Sequence, residues 1–166
     1  IRSQTLESTA LRIGRVLGVG HPYRMSFFDR IRFAASTKKP HDASKVKLRS
    51  YISTQSFNLA VENILRGEFP PNKHRTFHVG GANMSEYEMV HGWYKLVGSN
   101  TDLVSEVRDA ERDLSLSSKL METQFSGWKA ETKEQLFMNL LESLNPAIGL
   151  KKWERALQSL KENSPS

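Results

Sequence analysis

Apolar positions recur along this chain with two different periods, and the changes of period divide it into elements. Leu11 to Leu17 (LRIGRVL) is a short apolar run interrupted by Arg12 and Arg15. It is closed by Gly18-Val19-Gly20 and Pro22, which predicts a strand ending in a turn. Residues 25–35 place Phe27, Phe28, Ile31 and Ala34 or Ala35 on one helical face. Thr37 to Ser44, with Pro40, reads as a polar loop, and Val46 to Ile52 as a second strand. Phe57, Ala60, Val61, Ile64 and Leu65 then form a helical stripe. Ser53 or Thr54 can cap that helix, Glu62 and Arg66 add an i,i+4 pair, and Gly67, Pro70 and Pro71 end it.

The second half repeats the alternation. Thr76 to Val79 is a β-like run stopped by Gly80-Gly81. Ser85 and Glu88 have the spacing of a capping box for a helix buried along Met89, Val90, Trp93, Leu96 and Val97, with Gly98 just past its end. A short strand is expected over Leu103 to Val107 and a helical turn around Ser117 to Met121. Thr132 and Gln135 make a second capping box before Leu136, Phe137, Leu140, Leu141 and Leu144. Pro146 breaks that helix, and Leu150, Trp153, Leu157 and Leu160 predict a last one over 150–162. The fold class is therefore α/β, and the strands read this way are too few for a complete sheet. The expectation is the C-terminal part of a larger α/β domain.

Composition narrows the options. The chain has 166 residues, is 38% hydrophobic and has a mean hydropathy of −0.51, which suits a single soluble domain or part of one. No apolar run approaches the roughly 18 residues needed to cross a membrane. The first residues have the character of an interior segment, with neither a signal peptide nor a transit sequence, so a cytoplasmic or organellar location is expected. Cysteine is absent, which excludes disulfides and thiolate metal sites. The net charge of +6 comes from 24 Lys and Arg against 18 Asp and Glu. These cations are scattered and do not interleave with aromatics, so a small phosphorylated ligand, or solubility alone, fits better than nucleic acid.

Candidate chemistry is sparse. Gly18-Val19-Gly20 starts like a dinucleotide loop, but no third glycine follows, and it reads as a turn. Gly80-Gly81 reads as a post-strand turn in the same way. The five histidines lack metal-ligand spacing, and His78, inside a β run, reads as a packed or hydrogen-bonded core residue. No G-x-S-x-G elbow marks a nucleophile. Arg49 stands apart, since it lies on a strand four to five residues before a helix N-cap. There a guanidinium and the helix dipole can share one anion. A surface arginine or a structural ion pair is the competing reading. Arg15, inside an apolar strand, must likewise face a partner, a cleft or solvent.

Four segments, in order, resemble the extended short-chain dehydrogenases, which include the nucleotide-sugar epimerases and the dTDP-4-dehydrorhamnose reductases. They are ALRIGRVLG from Ala10, RSYISTQSFNLAVENIL from Arg49, TFHVGGANMSEYEMV from Thr76 and LSLSSKLMETQFSGWKAETKEQLFMNLLESL from Leu114. The second of them matches that family's R-x-Y-I-x-v-x-D-l-A pattern. The resemblance implies a Rossmann-like NAD(P)-binding fold of which residues 10–36 and 53–66 are the last elements. Residues 67–145 would belong to a small mixed substrate-binding subdomain, and 146–166 to a C-terminal helix and tail.

It further implies a substrate-binding role for Arg49, on the diphosphate of a nucleotide-linked sugar, and for Arg15 and Tyr51. Arg15 and the Gly18–Pro22 loop would meet the sugar or base, and Ile13 would line the nicotinamide of NAD or NADP. Arg15 departs from the family's Asn or Trp, and Gln55-Ser56 departs from its usual acidic residues. The family's Tyr-x-x-x-Lys pair is missing from these residues: the positions four after Tyr23, Tyr51, Tyr87 and Tyr94 are Phe27, Gln55, His91 and Gly98. The chain alone is therefore expected not to transfer hydride. It would be the substrate-binding half of a reductase or epimerase, or a non-catalytic regulatory or structural subunit that keeps the fold. An incomplete sheet would expose a strand edge, so the missing half, a partner chain or self-association is expected to cover it.

Overall fold

The structure is a computed structural model that describes residues 9–19, 25–67 and 75–144. The helix expected over 150–162 and the Gly20–Pro22 part of the first turn lie outside these residues. The element order is β1 (Thr9–Ile13), β2 (Arg15–Leu17), α1 (Phe27–Ser36), β3 (His41–Ser44), β4 (Lys47–Ser53), α2 (Thr54–Arg66), β5 (Arg75–Val79), β6 (Ala82–Ser85), α3 (Glu86–Leu96), β7 (Val104–Val107), β8 (Arg112–Leu114), α4 (Lys119–Gln124) and α5 (Lys133–Leu144).

Helix boundaries follow the caps. Ser26 and Asp29 close a capping box at α1, Ser53 is the N-cap of α2, and the Ser85–Glu88 box opens α3 as its spacing predicts. At α5, the Thr132 N–H donates to Gln135 Oε1 at 2.9 Å and the Gln135 N–H to Thr132 Oγ1 at 3.3 Å. Helix α3 ends where Gly98 takes φ +70° and the Ser99 N–H returns to the Tyr94 carbonyl at 2.9 Å.

The strands depart further from expectation. Leu11 to Leu17 is two strands, because the chain crosses from one partner to another at Gly14. β1 pairs in parallel with β5, Ile13 opposite Val79, whereas β2 pairs in parallel with β4, Arg15 opposite Tyr51. The Gly14 N–H still bonds the Val79 carbonyl at 2.9 Å. A Cβ at Gly14 would stand 2.6 Å from the Ser50 carbonyl oxygen, so only glycine permits this crossing. The expected loop Thr37–Ser44 contains β3, which runs parallel to β7. Strands β6 and β8 also went unread. The strand count expected from the sequence was thus too low.

β4 is the centre of the fold. β6 runs antiparallel along Leu48 to Tyr51 on one edge. The other edge is shared by β8, opposite Lys47 to Arg49, and β2, opposite Tyr51 to Ser53. Alternation along β4 sends successive side chains to two cores. Tyr51 joins Phe28, Ile31, Met84, Trp93 and Leu140 on one face, while Ile52 joins Ala60, Ile64, Phe77, Met121 and Trp128 on the other. Phe28 meets Trp93 edge-on at 4.7 Å, a favoured aromatic geometry.

Candidate functional site

The pattern of β4 fixes the site. Arg49 and Tyr51 are two residues apart and therefore share a face, and Arg15 of β2 lies opposite Tyr51 in the parallel pair. On the other edge Arg49 faces Met84 in β6, so the chain enters α3 beside it. The Ser85–Glu88 capping box then sets the first turn of α3, with Glu86 as its first residue.

Glu86 meets both arginines through one oxygen. Its Oε1 lies 3.1 Å from Arg15 NH1 and 3.3 Å from Arg49 Nε. Their side chains are 30%, 23% and 18% exposed for Arg15, Arg49 and Glu86, so the cluster is only partly hydrated. The Arg15–Glu86 contact is a hydrogen bond. The Arg49 contact is an ion pair whose alignment leaves the buried Nε–H without a hydrogen-bond acceptor.

The aromatic wall is close. The Arg15 guanidinium sits 4.3 Å above the Phe27 ring, which stacks on Tyr51 at 6.3 Å. Such a cation–π contact is worth about 0.5–2 kcal/mol, depending on desolvation, and holds Arg15 in place. The Tyr51 hydroxyl is buried without a well-aligned partner. Burial raises its pKa far above the usual phenol range, Glu86 adds to this, and Arg15 and Arg49 oppose it. Tyr51 is therefore a protonated donor at neutral pH.

Arg15, Arg49 and Tyr51 are thus brought together. Ile13 is not part of the group: it ends β1, two residues before Arg15, and is 44% exposed. His78 is half-buried on β5.

Arg49 and the α2 N-terminus each face their own carboxylate, Glu86 at Arg49 and Glu131 at the helix. At α2 the group is Glu131, only 5% exposed. It accepts from the Ser53 N–H, from the hydroxyls of Ser53 and Ser56 at 2.9 Å each, and from Asn139 Nδ2 at 2.9 Å.

In front of it is a cleft of about 580 Å³ lined by Ser53, Thr54, Gln55, Asn58, Asn139 and Ser143, among others. A second, of about 520 Å³, lies between Asn83 and the Ser115–Lys119 segment. Neither is lined by the arginines. Among the described residues no group of three or more His, Asp or Glu could hold a metal ion. No helix there is long and apolar enough to cross a membrane.

Glu86, Glu131 and Asn139 escaped the sequence reading, and Phe27 was read only as part of a helical face. Glu86 adjoins a recognised cap, which marks where α3 begins but not what its first side chain touches.

No family model and no curated protein sequence matches the chain. Solved structures do. A dTDP-glucose 4,6-dehydratase from Bacillus anthracis, in complex with NAD, superposes with a TM-score of 0.64 at 15% identity, over 81% of this chain and 43% of that one. DesIV, a dTDP-glucose 4,6-dehydratase from Streptomyces venezuelae with NAD bound, gives 0.65 at 14% identity, over 86% and 45%. WbmG from Bordetella bronchiseptica, in complex with NAD and UDP, gives 0.60 at 18% identity, over 86% and 44%. The chain spans less than half the length of these proteins. At these identities the likeness establishes the fold alone, a partial Rossmann-like α/β architecture.

Proposed function

We propose that this chain is the substrate-binding half of an NAD(P)-dependent reductase or epimerase that acts on a nucleotide-linked sugar. The observation that carries this reading is the convergence of Arg15, Arg49 and the protonated Tyr51 on one partly buried point with two cations and one carboxylate. A net positive cluster with an unsatisfied buried Nε–H suits a diphosphate, because charge-assisted guanidinium bonds to phosphate are strong and directional. In this reading Arg49 grips the diphosphate, Arg15 orients it from the Phe27 ring, and Tyr51 offers a neutral O–H.

Residues 10–36 and 53–66 would be the last Rossmann elements and 67–145 the substrate-binding subdomain. Ile13, at the carboxyl end of the parallel β1–β5 pair, would line the nicotinamide of NAD or NADP, since open parallel sheets hold ligands at that end. The described residues fit only that end of a dinucleotide. Gly80-Gly81 is no pyrophosphate cradle, because a Cβ at Gly81 would already meet the Tyr51 carbonyl oxygen at 2.2 Å. A bound nicotinamide would supply the hydride, and this chain's residues would bind and orient the sugar nucleotide. The glycine-rich loop and the Tyr-x-x-x-Lys pair would come from a further segment or partner chain adding a strand beside β1, whose residues are mostly exposed.

Calorimetric titration of the chain with UDP tests the site. Arg49→Ala should weaken binding by about 1–3 kcal/mol, the loss of a charge-assisted bond. Unchanged affinity would retire the reading and favour a non-catalytic subunit that keeps the fold.

A further inference from the structure

We propose that Glu86 is an internal counter-ion that holds the place of the ligand anion between Arg15 and Arg49, and that binding requires its displacement. The inference rests on the diphosphate reading above and adds the residue that sets affinity at that site. One carboxylate oxygen bridges both guanidiniums, at 3.1 and 3.3 Å. An anion entering between them must take over these contacts, because the Coulomb energy of a third charge at that spacing depends on whether Glu86 stays.

Three features favour exchange over a permanent pair. The Arg49 contact is misaligned, so Arg49 Nε gains a proper acceptor only from another group. With Glu86 displaced, the two guanidiniums present a double positive charge that a monovalent group does not neutralise and a diphosphate does. Glu86 is the first residue of α3, where a carboxylate turned toward solvent still interacts favourably with the helix N-terminus, so its release costs little from that side. Neither Arg15 nor Arg49 has to move, since Arg15 is held by the Phe27 ring and Arg49 by its strand.

Glu86 would therefore act as a threshold. Weak or singly charged anions fail to displace it, and a diphosphate succeeds.

The test compares UDP binding by calorimetry for the unaltered chain, Glu86→Gln, Glu86→Ala and Arg49→Ala, with thermal unfolding of each as a check on folding. Glu86→Gln and Glu86→Ala should bind UDP about tenfold more tightly, a change of about 1.4 kcal/mol. They should also bind inorganic phosphate, which the unaltered chain binds poorly. If Arg49→Ala weakens UDP binding while both Glu86 variants bind as the unaltered chain or more weakly, Glu86 is a structural partner only and the inference fails. If Arg49→Ala has no effect either, the diphosphate reading fails with it.

Discussion

Replacing Glu131 with alanine removes the acceptor on which four donors converge, and the cost can be worked from those donors. The backbone N–H of Ser53 is the one that cannot rotate away. A buried donor left unsatisfied costs about 1–3 kcal/mol. Loss of a carboxylate from a helix N-terminus costs about 0.3–1 kcal/mol, and up to ~2 where it is partly buried. The hydroxyls of Ser53 and Ser56 can turn to other acceptors, and Asn139 keeps its bond to Ser53 Oγ at 3.1 Å. Removing a desolvated charge offsets part of the loss. The balance is a destabilisation of about 3 kcal/mol, which for a chain of this size lowers Tm by roughly 6–12 °C. Trp128 is the reporter, buried and donating from Nε1 to the Ser56 carbonyl at 3.1 Å. Urea unfolding followed by tryptophan fluorescence, to which buried Trp93 also contributes, measures the change. Asn139→Ala should cost about 1 kcal/mol alone and much less in the Glu131→Ala background, because the two share one network. A Glu131→Ala stability within about 0.5 kcal/mol of the unaltered chain, the range of an ordinary surface change, would refute the reasoning.

Two further outcomes are expected. Gly14→Ala should destabilise by about 1–3 kcal/mol, as for an overpacked site, since its Cβ would meet the Ser50 carbonyl oxygen at 2.6 Å and the Ser50 Cβ at 3.1 Å; an unchanged urea midpoint would show that the strand crossing tolerates a side chain. Burial first, and then nearby Arg30, hold the His41 imidazole below its usual range, while Asp42 and Glu86 pull the other way. The folded state thus resists protonation more than the unfolded chain does, so this stability is complete above about pH 6.5 and is lost as pH falls through the lower folded value. Melting curves between pH 7.5 and 5 should fall less steeply for His41→Asn, and parallel curves would count against the assignment.

What was legible in the sequence had local causes. The stripe from Phe57 to Leu65, the Ser85–Glu88 and Thr132–Gln135 boxes and the Gly98 stop lie within a few residues of what they determine, and α2, α3 and α5 follow them. β3 reads His-Asp-Ala-Ser, a loop composition, and is a strand because β7 pairs with it. Arg15, Arg49 and Tyr51 could be picked out because they stand on or beside one recognisable segment. Their counter-ion could not, for Glu86 is 71 positions from Arg15. Likewise Glu131 is 78 positions from Ser53, and only the folded chain brings it to the start of α2.

The crossing at Gly14 has a mechanical consequence. One residue joins the strand that would carry Ile13 beneath a nicotinamide to the strand that carries Arg15, and that residue is pinned by the Val79 carbonyl and wedged against Ser50. There is no slack at this seam for a hinge. Ile13 and Arg15 must travel together, so in the proposed reading any closing motion over a bound ligand has to come from parts that move over them both.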